Sequence, residues 1–212
     1  MDAPAEPQPV DQAANADAPE PLQLLLPDEI SADTVVPILQ ALADAAEGQR
    51  IDLHLRHNSG GDVDQMIELI RNLHVTKASV EISFSRYVMS AAATIWLWFR
   101  VWPIERVQSV PPRKPGVVMY HRPRLLDGLY VCFTNEMDEG HVLKSHLEKK
   151  FKLFDVLFEE MYSRMLASGQ DGPLAVIPDE LKHNDHNGLS YRHAVYRMRE
   201  SYYGNQDCLI PV

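Results

Sequence analysis

IDLHLRHNSGGDVDQMIELI, residues 51–70, carries a strand, a glycine turn and the start of a helix in twenty positions. IDLHL (51–55) reads as a strand from its length and its flanks, and the pair Gly60-Gly61 ends the loop behind it. Asp62 is placed to cap a helix whose apolar face is Val63, Met66, Ile67, Ile70 and Leu73. A strand running through a glycine turn into an amphipathic helix is half of a parallel βα unit, and the sequence on either side repeats that plan.

Upstream, LQLLL from Leu22 reads as a short buried strand, and PDEIS leads into a helix over about Thr34 to Ala46. That helix is capped by Asp33 or Thr34 and presents Val35, Ile38, Leu39 and Leu42 on one face. Downstream, SVEISF (79–84) is the next strand, followed by an apolar helix from about Ser90. VVMY (117–120) is another strand behind the turn PPRKP. Strands alternating with helices at this spacing predict an α/β fold built on parallel strands. A long amphipathic stretch follows from about Asp138 to Leu166, with Leu143, Leu147, Phe151, Phe154, Leu157, Phe158, Met161 and Met165 on neighbouring faces. Its length suggests a helix that protrudes towards a partner or a symmetry mate, a kinked core helix being the plainer alternative. Asn187-Gly188-Leu189-Ser190 forms a turn and cap for a last helix over about Tyr191 to Tyr203, closed by Gly204.

Charge divides the chain in two. Residues 1–49 hold ten acids and no Lys or Arg, while the rest carries 20 basic and 20 acidic residues, so the net charge of −10 belongs entirely to the leading segment. The balanced body has no basic stripe to displace counterions from phosphates, so its charge gives no support to nucleic-acid binding. Residues 1–21 contain five prolines, six alanines and one large aliphatic, Val10. They read as a disordered, solvated acidic arm ahead of one domain over residues 22–212. The opening MDAPAEPQPVDQ has neither the basic nor the apolar part of a secretory signal, which predicts an intracellular, cytoplasmic protein. The most apolar run, Val88 to Phe99, is twelve residues, against the roughly 20 that span a bilayer, so no membrane role is expected. Cys132 and Cys208 lie 76 positions apart with no paired-ligand spacing, so neither a disulfide scaffold nor a zinc ribbon is expected.

Three polar features fall at the C-terminal ends of successive strands, the edge where open α/β sheets gather their ligands. The Gly60-Gly61 turn can present backbone N–H groups to a reacting oxygen, although a tight turn needs the same glycines. Ser90 sits where a strand gives way to a helix, so free N–H groups and the positive dipole end lie beside its hydroxyl; a lone serine there is otherwise a cap. His121 follows VVMY. Parallel strands deliver all three to one edge, which is the arrangement a Ser–His pair with an oxyanion hole requires. The pairs His54/His57, His141/His146 and His183/His186 have no HExxH helix and no supporting Cys and carboxylate set, so no metal site is assigned to them.

Taken with SVEISFSRYVMSAAATIWL and VVMYHRP, residues 51–70 resemble the proteolytic subunit of the Clp protease (ClpP) and its relatives in the ClpP/crotonase superfamily, over about residues 22–204. The family's loop is Asn-Ser-Pro-Gly-Gly; here it is Asn58-Ser59-Gly60-Gly61, without the proline. Ser90 follows Gly61 by 29 positions, which suits the family's layout without a gap. The resemblance implies a fold of repeated ββα-type units with a protruding handle helix. It makes Ser90 the nucleophile, His121 the general base, and the amides of Gly61 and Ala91 the oxyanion hole. The family's acid lies shortly before a Leu-Ser pair matched by Leu189-Ser190. An ungapped alignment sets His186 there, and a one-residue shift brings in Asp185; Asp179 and Asp171 are the further carboxylates. The implied activity is a serine endopeptidase acting on polypeptides without a metal or organic cofactor. It would work in a homo-oligomeric ring and, by resemblance alone, with an ATPase unfoldase.

The chain departs from the family where Arg86-Tyr87-Val88-Met89 stands in place of a Gly and small residues, and where the segment between Ser90 and His121 is longer. A catalytically inactive subunit with a binding or regulatory role is therefore a second reading. A third is an acyl-CoA enzyme of the crotonase kind, which shares the oxyanion hole. A Ser–Lys dyad would need Lys77 or Lys114 near Ser90.

Overall fold

Alternation of side chains across the pleat sorts each strand into a buried and an open set. Ile51, Leu53 and Leu55 are fully buried, as are Val80, Ile82 and Phe84 on the next strand, while Asp52, His54 and Arg56, and Glu81, Ser83 and Ser85, lie on the other side. In a computed structural model of the chain, which describes residues 20–127, 130–169, 174 and 189–212, these residues form the centre of one six-stranded sheet.

The elements follow as β1 (Leu22–Pro27), α1 (Ala32–Asp44), β2 (Arg50–Asn58), α2 (Val63–Val75), β3 (Ser79–Met89), α3 (Ser90–Val101), β4 (Val107–Ser109) and β5 (Val117–Tyr120). A hairpin of β6 (Leu125–Asp127) and β7 (Tyr130–Cys132) comes next, then α4 (Val142–Ser168), α5 (Leu189–Tyr203) and β8 (Cys208–Pro211). The main sheet runs β1-β2-β3-β5-β8, with β4 paired to the first half of β3. All pairings in it are parallel except β5 with β8. The α/β class expected from the sequence is therefore present, as the succession β–α–β–α–β–α. Among the described residues no helix is long and apolar enough to cross a membrane.

Crossovers between parallel strands are right-handed, and the chain steps in one direction from β1 to β2, β3 and β5. That rule sets α1, α2 and α3 side by side on one face, where α1 packs on α2 and α2 on α3. The opposite face of β1-β2-β3 keeps its polar residues, and among the described residues no helix covers it. α3 is the central element: its residues from Ala91 to Leu97 are all buried, and the Trp96 indole N–H donates to the Val110 carbonyl at 3.1 Å. The C-terminal half of α4 packs into the core through Phe154, Leu157, Phe158, Met161 and Met165, whereas Val142 and Leu143 near its start are exposed. Tyr120 of β5, Phe158 of α4 and Tyr202 of α5 form a stack, with Phe158 and Tyr202 ring centres 3.8 Å apart.

Some local signals shift by a few positions. α1 begins at Ala32, two residues before its expected start, and its cap is Ser31, whose N–H is held by Thr34 Oγ1 at 3.0 Å. Asp62 caps α2 as expected, accepting from the N–H groups of Asp64 and Gln65 at 2.7 and 3.2 Å. β3 runs five residues past its expected end. It does so through a bulge: His57 alone on β2 opposes Arg86 and Tyr87 on β3, with φ of +49° at His57 and +62° at Arg86. Beyond the bulge Tyr87, Val88 and Met89 leave β4 behind and pair with β5.

Candidate functional site

Ser90 is the first residue of α3 and lies directly after β3, so the strand aims it and the helix backs it. Its φ of +51° lies in the left-handed region, which a side chain adopts only where surrounding structure holds it. The holding elements are identifiable. Thr94 Oγ1 donates to the Ser90 carbonyl at 3.0 Å one turn into the helix, and the glycine turn presses against the other side.

Gly60, with φ of +92°, comes so near that a Cβ built on it would stand 2.7 Å from Ser90 Cβ and 3.0 Å from the Ala91 nitrogen. The turn is fixed from beneath by Asn58, fully buried, whose Oδ1 accepts the Gly60 N–H at 2.9 Å and whose amide donates to the carbonyls of Leu26 and Pro27, each at 3.3 Å. Ile30 holds its far edge: the Ile30 N–H donates to the Gly60 carbonyl at 2.7 Å and the Ile30 carbonyl accepts from Asp62 at 2.8 Å. In that pattern Gly61 is bridged without spending its own N–H, which is turned away from Ile30. A Cβ on Gly61, at φ +136°, would collide with the Ile30 carbonyl, so both positions are closed to other residues.

His121 stands one residue past β5. Since Met119 pairs with Met89, the ladder brings the end of β5 alongside the start of α3. The imidazole is buried, and its Nδ1 lies 2.6 Å from the Arg122 carbonyl oxygen. A carbonyl only accepts, so Nδ1 carries the proton and Nε2 keeps its lone pair, the tautomer required of a base. Burial pulls the His121 pKa below the usual histidine value. The Arg122 carbonyl opposes that shift, the Arg124 charge adds to it and the Asp207 charge opposes it. Among the described residues no hydrogen bond joins Ser90 Oγ to His121.

Asp207 is the carboxylate that the sequence did not point to. Tyr120 pairs with Cys208 in the antiparallel β5–β8 ladder, and one further step sets Asp207 opposite His121. Its Oδ1 takes an ion pair from Arg124 Nη2 at 2.7 Å, and that guanidinium also donates to the Asn205 carbonyl at 2.9 Å. The only sequence signal for it is an Asp beside the apolar run CLIP, which becomes meaningful once that run is known to pair with VVMY.

The chain thus brings Ser90, Ala91 and the Gly60-Gly61 turn into contact, with His121 at the neighbouring strand end. Asp185, Asp179, Asp171, His183 and His186 lie outside the described residues. Lys77 belongs to the opposite edge of the sheet, where its carbonyl accepts from Gly48 N–H at 3.1 Å, and Lys114 lies over the uncovered sheet face.

No protein-family model matches the chain, and no curated protein matches it. Among solved structures, a ClpP1 point mutant from Listeria monocytogenes is similar at 15% sequence identity and a TM-score of 0.44. That match covers 66% of this chain and 70% of the other.

Proposed function

We propose that this chain is a serine-type hydrolase of the ClpP/crotonase kind that cleaves peptide bonds. One observation carries the reading: a serine held at positive φ at the head of a buried helix, in contact with a double-glycine turn, beside a histidine whose tautomer leaves Nε2 free. His121 Nε2 takes the Ser90 proton as Ser90 Oγ attacks the carbonyl carbon. The N–H groups of Gly61 and Ala91 stabilise the tetrahedral oxyanion, and loss of one such donor typically costs about 10²–10³ in rate. The imidazolium returns its proton to the leaving amine, and water then hydrolyses the acyl-enzyme. Asp185 remains the acid that family resemblance suggests, and the Arg122 carbonyl and Asp207 support the histidine in the described residues. Polypeptide substrates, a homo-oligomeric ring and an ATPase unfoldase belong to this proposal through resemblance alone.

A second reading, an inactive subunit with a binding or regulatory role, is favoured by the missing Ser90–His121 hydrogen bond, although free active sites are often loose until substrate tightens them. Labelling with a fluorophosphonate probe, with Ser90→Ala as control, separates the two. Ser90-dependent labelling supports the hydrolase, and its absence in a folded, fully assembled protein supports the inactive subunit. Thioester turnover that survives Ser90→Ala would instead favour the acyl-CoA enzyme.

A further inference from the structure

Parallel sheets are almost always covered on both faces, because the crossovers that join their strands lay helices across them. Here, among the described residues, one face of β1-β2-β3 is bare of helices, polar, and roofed by the turn after β4, Val110 to Lys114. Together they enclose a cleft of about 820 Å³, within the range of small-molecule sites. Gln23, Asp52 and Glu81, one rung of the sheet, line one end of it. The other lining is cationic: Arg56 and Arg86 from the C-terminal ends of β2 and β3, and Arg113 and Lys114 from the turn before β5.

Ion pairs elsewhere in the chain include Arg122 with Asp155, Arg124 with Asp207, Lys150 with Asp64 and Arg199 with Glu159. Among the described residues none of the four cleft cations has a carboxylate within ion-pair distance. Four cations against two carboxylates, Asp52 and Glu81, in one cleft of a chain whose net charge is −10 are a local excess that the overall composition hides. The backbone is also bent to make it: the positive φ values at Arg86 and His57 belong to the bulge that aims the upper ends of β2 and β3, and bulges of this kind re-aim side chains beside functional sites. On the floor His54 is clamped between two hydroxyls, Nδ1 with Ser83 Oγ and Nε2 with Ser85 Oγ, both at 2.9 Å. Both ring nitrogens are thus engaged, so the floor is a fixed hydrogen-bonding surface beneath the cations.

We propose that this cleft is a binding site for a small ligand carrying two or more phosphate charges, held at the end formed by Arg56, Arg86, Arg113 and Lys114. Guanidinium forks match phosphate oxygens in pairs, and the C-terminal ends of parallel strands are where such sheets collect ligands. The site faces away from α3 and is independent of the hydrolase reading.

The test is calorimetric titration of the full chain with inorganic pyrophosphate and, in parallel, with a nucleoside diphosphate. Saturable binding at one site per chain is expected, weakening at least tenfold in Arg56→Ala/Arg113→Ala and weakening with added salt. Tighter binding of the nucleotide means that the polar end of the cleft reads an organic group; equal binding means that the phosphates alone are recognised. Either ranking supports the proposal. Because both arginines are exposed, folding of the variant is verified by circular dichroism, and Arg113→Glu provides a second variant in the roof alone. No saturable heat with either probe, or affinity unchanged in both variants, overturns the proposal. So does a change of oligomeric state in Arg113→Glu with no pyrophosphate binding to the parent chain, since the face would then be covered by a second copy.

Discussion

Gly60 and Ser90 touch across 30 residues of sequence, close enough that a single added methyl on the glycine would stand 2.7 Å from the serine Cβ. The contact couples the shape of the turn to the position of the hydroxyl. Gly60→Ala must relieve both that overlap and a φ of +92° that alanine resists. A loss of about 2 kcal/mol or more is expected, read as a fall in thermal midpoint. Ser90-dependent probe labelling should fall by a larger factor than stability alone explains, because the displaced turn carries Gly61.

Ser90 itself occupies a backbone region that disfavours side chains. At an ordinary helical position glycine is about 1 kcal/mol worse than alanine. At φ +51° that order should vanish or invert, so Ser90→Gly is expected to be no less stable than Ser90→Ala. Denaturant unfolding of the two variants checks this, and a full helical glycine penalty would show that Ser90 is relaxed in solution.

His121 should report its surroundings through pH. Its pKa is lowered in the folded chain, chiefly by burial, so as pH falls the unfolded chain takes up the proton first. The neutral ring therefore costs nothing above about pH 6.5, the unperturbed histidine value, and stability declines below it. Asp207 pulls the other way, favouring the charged ring. Asp207→Asn is expected to lower the His121 pKa further and to move the acidic limb of any pH–rate profile to lower pH. Imidazole NMR titration measures the shift directly, and an unchanged value would remove Asp207 from the site.

Asp155 anchors the segment that holds the base. It accepts both arms of the Arg122 guanidinium, at 2.9 and 2.8 Å, and the Tyr202 hydroxyl at 2.9 Å. Arg122 also lies over the ring of Tyr203 at 4.5 Å. Asp155→Ala leaves a partly buried cation and a buried phenol unsatisfied, for which a loss of roughly 2–3 kcal/mol is expected. Since the Arg122 carbonyl fixes the His121 tautomer, the same change should broaden the His121 resonances. A double-mutant cycle with Tyr202→Phe apportions the energy.

The parts of this molecule that sequence made legible are those fixed by local signals. Asp62 and the face from Val63 to Leu73 marked α2 because cap and periodicity agree within one segment. The three strand ends that carry Gly61, Ser90 and His121 were placed in order because each is a strand followed by a turn or helix start. SVEISF predicts a strand ending at Phe84; Arg86 interrupts the alternation beyond it, and only pairing with a partner strand turns that interruption into a bulge. β8 was not foreseen, since four residues ending in proline carry no periodic signal and become a strand only against β5. Asp207 was missed with it, because its nearness to His121 arises from an antiparallel ladder between segments more than 80 residues apart. The basic cleft was hidden for a similar reason, its charges being spread across β2, β3 and the turn before β5.

β3 is shared between two neighbours, β4 along its first half and β5 along its last three residues, and β5 in turn leans on β8. On a ribosome, residues 208–211 emerge after the other described strands of the sheet, so the edge of β5 waits unpaired until the 87 residues between Tyr120 and Cys208 have been made. Ser90 and its glycine turn can assemble early, from β2, β3 and α3, while the segment bearing His121 is secured only when β8 arrives. Assembly of the candidate site is thereby delayed until residues 121–207 have been made.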